Sequence, residues 1–134
     1  MAIGAALAAE GRKTVALTGD GGFCVSLGEL ATAVQERADV VFVVMNDKGY
    51  GVIRNIQDAK FGGRRHYVDL HMPEFANLSN TMGLPYFRVA DTGEMASALA
   101  AALAVDGPAL VEIDMTEIGP FARPFAGPPV RKVE

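Results

Sequence analysis

Apolar positions fall into short blocks along the chain, and blocks with helical spacing alternate with blocks that read as strands. Ala2 to Ala9 is apolar almost throughout and predicts a helix, closed by Glu10-Gly11-Arg12 with Gly11 just past its end. Thr14 to Thr18 predicts a short strand. Leu27, Leu30, Ala31 and Val34 recur at i, i+3, i+4 and i+7, one face of a helix that Ser26-x-x-Glu29 would open as a capping box. Val40 to Met45 is apolar without a break, the pattern of a strand covered on both faces. Asp47 to Gly51 predicts a loop, with a short helix beginning near Val52. Residues 58–72, DAKFGGRRHYVDLHM, are polar and glycine-bearing and predict a surface loop. Pro73 to Met82 predicts a helix with proline in its first position and Gly83 as its stop. Tyr86 to Val89 predicts a strand. Asp91-x-x-Glu94 would cap a helix from Glu94 to Val105, with Met95, Leu99, Ala102 and Leu103 facing inward. Pro108 to Met115 predicts the last strand.

Strands alternating with helices imply parallel crossovers, hence an α/β fold: a doubly wound, mostly parallel sheet with helices on both faces. Residues 1–117 are expected to form one domain. Residues 118–134 hold four of the seven prolines and predict an extended, loosely attached tail. The first helix starts at the first residue with no cap before it, so the domain is expected to be truncated at its N-terminus.

Composition narrows the partners. A net charge of −4 with no basic stripe argues against nucleic acid. No apolar run approaches the roughly 20 residues of a membrane span. A single cysteine, Cys24, leaves no internal disulfide and fits a reducing cytoplasm. Cys24 reads as a packed residue. His66, His71 and Arg64-Arg65 read as solvated loop residues, although a loop that orders over a ligand remains open.

Two stretches carry candidate chemistry. GDGGF, starting at Gly19, sets Asp20 among glycines just after a strand. Glycines let a ligand approach backbone N–H groups, and pyrophosphate suits such donors. Asp20 would repel pyrophosphate unless a hard cation such as Mg²⁺ took oxygens from both. NDKGYG, starting at Asn46, supplies a second carboxylate in Asp47, then a tight Gly49-Tyr50-Gly51 loop and a helix start whose free N–H groups suit phosphate. Taken alone, each stretch reads first as a plain turn after a strand. A Mg²⁺-dependent nucleotide binder would carry a phosphate-gripping lysine in its glycine loop, and GDGGFC has none.

Asp20 and Asp47 lie 27 positions apart, separated by a predicted helix and an apolar strand. In that order the two stretches resemble the thiamine diphosphate-binding motif, Gly-Asp-Gly followed after a helix and a strand by Asn-Asn or Asn-Asp. The relatives implied are the acetolactate synthase, pyruvate decarboxylase and benzoylformate decarboxylase group. MAIGAALAA resembles the family's helix before the motif, and DGPALVEIDM its closing strand. The resemblance implies Mg²⁺ ligands at Asp20, at Asp47 (where the family more often has Asn) and at the carbonyl of Gly49. It implies cofactor contacts from Gly19, Asp20, Gly21, Gly22, Asp47, Gly49, Tyr50, Gly51 and Val52, and a role for Asn46 in fixing the loop. Ile53 stands where yeast-type pyruvate decarboxylases carry a catalytic Glu, and Ile56 near a large aromatic residue of acetolactate synthases. Both are therefore candidate substrate-side residues of a hydrophobic wall, with ordinary helix packing the equal alternative.

The resemblance further implies a 2-keto acid substrate and a pyrimidine-binding domain, whose Glu activates the cofactor, in a second subunit or partner chain. No such Glu is recognisable here, and Glu29 reads as a capping residue. The expectation is a fragment or split component of a 2-keto acid decarboxylase or carboligase that requires a homo-oligomer or a partner chain. The alternative is a non-catalytic binding module that retains the fold.

Overall fold

The computed structural model describes residues 1–9, 11–119, 125 and 127. The prolines of the expected tail, Pro120, Pro124, Pro128 and Pro129, lie outside the described residues.

Among the described residues, four strands form one parallel sheet: β1 (Thr14–Gly19), β2 (Val40–Asn46), β3 (Tyr86–Val89) and β4 (Ala109–Asp114), in the order β1-β2-β4-β3. β2 and β4 are central and covered on both faces, which is why their side chains run almost unbroken in apolar residues. Alternate residues supply two cores. On one face Val40, Phe42, Val44 and Leu110 pack beneath α1 (Ala2–Ala8), α3 (Glu29–Gln35) and α5 (Phe75–Met82). On the other, Val41, Val43, Val111 and Ile113 pack against α6 (Met95–Leu103) and α7 (Met115–Ile118). α2 (Asp20–Cys24) and α4 (Gly51–Phe61) sit at the carboxyl ends of β1 and β2. The expected doubly wound α/β arrangement is present. Among the described residues, no helix is long and apolar enough to cross a membrane.

Several boundaries differ from the sequence reading. The glycine stretch does not form an open loop: Asp20–Cys24 is a turn of helix capped by Gly19. Further helical turns follow, with Ser26 N–H bonded to the Phe23 carbonyl and Glu29 N–H to that of Ser26. Ser26 therefore lies inside a helical path and caps nothing. α3 begins at Glu29 after Gly28, and Ala33 instead of Ala31 faces the core beside Leu30. Residues 58–61, read as loop, complete α4, which ends where Gly62 takes a left-handed conformation (φ 60°). Pro73 precedes α5, whose N-cap is Glu74, so it is not the first helical residue. The Asp91/Glu94 capping box forms as expected around the 3-10 turn Thr92–Glu94. Leu103, expected inward, is exposed, because α6 turns Met95, Leu99 and Ala102 to the sheet. Ile118, assigned to the tail, ends α7 and packs on the second core.

Candidate functional site

β1 and β2 are neighbours and parallel, with Gly19 in register with Met45, so Asp20 and Asp47 leave the sheet at the same edge. Crevices outside the carboxyl ends of parallel strands are where such folds bind ligands. The main chain around Asp20 and Asp47 holds itself together closely. Asp20 is almost fully buried (2% exposed). One of its carboxylate oxygens accepts the Gly21 N–H at 2.8 Å and the other the Gly49 N–H at 2.9 Å, so a single side chain ties the start of α2 to the loop after β2, the second of the two stretches. Burial pushes the Asp20 pKa up, the Gly21 and Gly49 N–H bonds pull it down, and the nearby Asp47 charge raises it, for a net rise. The site thus holds a carboxylate whose charge is under-compensated, a condition that a cation relieves.

The second loop is fixed from below and from the side. Asn46, fully buried at the end of β2, accepts the Lys48 N–H on its Oδ1 at 3.2 Å. Lys48 itself is left-handed, with φ 60°. Gly49 has no room for a side chain: a Cβ there would stand 2.3 Å from the Val68 carbonyl oxygen. At Gly51, a Cβ would fall 1.5 Å from Asp47 Oδ2, so the absence of a side chain is what lets the Asp47 carboxylate lie against the start of α4. The ring of Tyr50 leans over Gly21. α4 has no side-chain cap, which leaves its first N–H groups without a side-chain partner at the rim.

These groups border a cleft of 290 Å³ lined by residues 19–22, Met45, Asp47, residues 49–53 and Met115. Every cofactor-side and metal candidate from the sequence, from Gly19 through Val52, is on its wall. So is Ile53, whereas Ile56 sits about a turn further along α4 and is not among the lining residues. A larger hollow of 550 Å³ lies between α1, α3 and the edge of β1 and shares only Gly22 with that set. Glu29 faces this second hollow and not the cleft. Cys24 lies with its sulfur 3.4 Å from that of Met72.

Sequence reasoning missed the groups that brace the site. Residues 66–70, read as a surface loop, are docked onto the second loop: Tyr50 N–H donates to the Val68 carbonyl at 2.8 Å and Leu70 N–H to that of Lys48 at 3.4 Å. Arg54 spans the junction, donating to Asp69 at 3.0 Å and to the Asp47 carbonyl at 3.4 Å. Val68 is the one fully buried residue in a largely exposed, polar stretch, a signal too faint to have placed it. Met45 and Met115, at the ends of apolar strands, carried no signal at all.

A glycine-walled cleft with two carboxylates and a helix start, at the carboxyl edge of a parallel sheet, defines a ligand-binding doubly wound α/β domain. Comparisons with known proteins make the class specific. Residues 1–113 match the family described as "Thiamine pyrophosphate enzyme, C-terminal TPP binding domain". The acetolactate synthase of Bacillus subtilis (strain 168) is 33% identical over 112 residues, 84% of this chain and 20% of that protein. The catabolic acetolactate synthase of Raoultella terrigena is 38% identical over the same shares of each. Among solved structures, the Rhodococcus jostii RHA1 thiamine diphosphate-dependent 4-hydroxybenzoylformate decarboxylase superposes with a TM-score of 0.76 at 30% identity, over 84% of this chain and 21% of that one. The chain belongs to the family of C-terminal thiamine diphosphate-binding domains, and its cofactor is thiamine diphosphate. It spans about a fifth of the length of the relatives it matches.

Proposed function

We propose that this chain is the component of a 2-keto acid decarboxylase or carboligase, resembling acetolactate synthase, that grips the diphosphate of thiamine diphosphate through Mg²⁺. The observation that carries this reading is the meeting of Asp20, Asp47 and the start of α4 on one cleft. The donor set suits the ion. Among the described residues no group of three or more His, Cys, Asp or Glu side chains converges as an all-protein cage. Mg²⁺ typically takes one or two carboxylates and completes its shell with waters and ligand phosphates, which is what Asp20, Asp47 and the Gly49 carbonyl would leave open. Asp20, under-compensated by its own hydrogen bonds, gains a counter-charge. The first N–H groups of α4, from Gly51 and Val52, would face the diphosphate. Tyr50 and Ile53 would border the thiazolium side.

When bound, the thiazolium supplies a carbon nucleophile and an electron sink for decarboxylation. The chain's own residues hold the diphosphate, neutralise it and keep its loop in place. The two carboxylates on the cleft wall, Asp20 and Asp47, are assigned to the cation in this reading, so proton transfer to the pyrimidine falls to a second domain. The exposed side chains on its wall, Tyr50, Val52 and Ile53, fit coverage by a pyrimidine-binding domain from a second copy or a partner chain.

Thermal unfolding with added ligands tests the reading. Thiamine diphosphate with Mg²⁺ raises the midpoint, and thiamine with Mg²⁺ leaves it unchanged. In the same preparation pyruvate and benzoylformate are not turned over. Equal protection by thiamine would refute the diphosphate grip, and robust turnover would refute the dependence on a second domain.

A further inference from the structure

Glu112 breaks the apolar run of β4, a strand buried along its whole length. Its side chain is on the α1/α3/α5 face, since it follows Leu110 by two residues, and it is 5% exposed. A carboxylate in such a place is costly unless its oxygens are bonded. Both are. Oε1 accepts the Asn46 amide N–H at 2.6 Å, from β2 on one side. The other oxygen accepts the Tyr86 hydroxyl, from β3 on the other side. Burial, the bond to Glu112 and the Glu112 charge push the Tyr86 phenol well above its ordinary range, so it remains a donor.

The consequence is directional. Both Glu112 oxygens act as acceptors, so Asn46 presents its NH₂ group to Glu112. Its carbonyl oxygen is thereby aimed at the loop, where it accepts the Lys48 N–H. Lys48 sits between Asp47 and Gly49 in a left-handed conformation that a lysine adopts only at a cost. The turn at Lys48 decides where the Asp47 carboxylate and the Gly49 carbonyl point. Gly49 N–H also reaches Asp20, so the same turn sets this loop against the start of α2.

We propose that Glu112 is a positioning residue for the cation-binding loop. Through Asn46, and braced by Tyr86, it fixes the amide orientation that holds Lys48 in its turn and keeps Asp47 and Gly49 ready for Mg²⁺ and diphosphate. This rests on the reading of Asp20 and Asp47 as the cation site. Outer groups of this kind, which touch neither metal nor ligand, typically alter metal affinity about ten- to a hundredfold when replaced.

Two variants and two readouts test it. Glu112→Gln can offer Asn46 either an oxygen or an NH₂ group, so the amide orientation is no longer dictated. Tyr86→Phe leaves the Asn46 bond in place and removes only the brace. In the ligand-free chain, amide hydrogen exchange at Lys48 and Gly49 rises on the order of tenfold in Glu112→Gln, with Val41 to Val44 unchanged. By calorimetry, the affinity for thiamine diphosphate with Mg²⁺ falls about ten- to a hundredfold in Glu112→Gln. Tyr86→Phe shows the same changes at smaller size, and it carries the test alone should Glu112→Gln fail to fold. Unaltered exchange and affinity in the folded variants overturn the proposal. So does exchange that rises equally along β2, the mark of a carboxylate that merely pins the sheet. If the parent chain binds no Mg²⁺ and thiamine diphosphate at all, the cation-site reading fails, and the exchange at Lys48 and Gly49 still decides the positioning role.

Discussion

A single methyl group at Gly51 separates the proposed cation site from the fold that carries it. Gly51 is the first residue of α4 and does not have a left-handed φ, so alanine meets no backbone strain there. Its Cβ would fall 1.5 Å from Asp47 Oδ2, which forces the carboxylate to rotate away. Asp47 is only half-buried and can move toward solvent, at an off-rotamer cost of about 0.5–1.5 kcal/mol. Alanine is the better helix former by up to about 1 kcal/mol. The two nearly cancel, so urea unfolding of ligand-free Gly51→Ala should lie within about 1 kcal/mol of the parent. Binding should respond differently. Losing one charged ligand is worth about 1.5–3 kcal/mol, a fall of roughly ten- to a hundredfold in affinity for thiamine diphosphate with Mg²⁺. Residual binding measured in chelator should be unchanged, which distinguishes a displaced carboxylate from a methyl that simply obstructs the ligand. A variant that binds as tightly as the parent in Mg²⁺, or one destabilised by more than about 3 kcal/mol, would refute this reasoning.

Gly49→Ala should behave in the opposite way. Its Cβ would meet the Val68 carbonyl at 2.3 Å, a backbone group that cannot rotate away, and would undo the docking of residues 66–70. Overpacking and two strained hydrogen bonds predict a loss of about 2–4 kcal/mol by urea unfolding, and a loss below about 0.5 kcal/mol would show that the segment is not docked. Asp114 predicts an acid limb. Burial opposes its ionisation, but the Thr116 hydroxyl, Arg88 and the Thr116 N–H outweigh burial and hold the pKa at about 2. Its folded pKa is below the ordinary 3.8, so its contribution is complete above that value and is lost as pH falls through about 2. Arg88 is half-exposed and its share is screened, which leaves about 1–2 kcal/mol. Asp114→Asn should remove that amount at pH 7 and flatten the acid limb, and an unchanged limb would assign acid sensitivity to other carboxylates.

The elements that were legible in the sequence are those whose own residues dictate them. Val40 to Met45 declared a doubly covered strand because every side chain is apolar, and Asp91 with Glu94 declared a cap because both partners are local. The misplacements come from tertiary overrides. Ser26-x-x-Glu29 has the form of a capping box, but helical turns already begin at Asp20, so no free helix end exists for Ser26 to cap. The polar face of α4 made residues 58–61 look like loop, since α4 buries no residue fully and shows no core stripe. The two acidic loops were legible because glycine and Asp next to a strand end are conspicuous. Their bracing was not, because Val68 and Asp69 meet the site from a distance in sequence, and Arg54, although close by, shows its role only through its bond to Asp69. Glu112 is the exception that could have been found: a carboxylate inside ALVEID demands buried partners, and Asn46 and Tyr86 are the answer.

The central claim is that Mg²⁺ bridges Asp20 and Asp47 to the diphosphate. Calorimetric titration of the purified chain with thiamine diphosphate, once in excess Mg²⁺ and once in chelator, tests it most directly. Each carboxylate opposes the ligand's charge when the cation is absent, and together with the cation they hold it. The account predicts binding at least about tenfold tighter in Mg²⁺, a gain that Asp20→Ala abolishes and Glu29→Gln leaves intact. Equal affinity in Mg²⁺ and chelator, or a gain that survives Asp20→Ala, would contradict it.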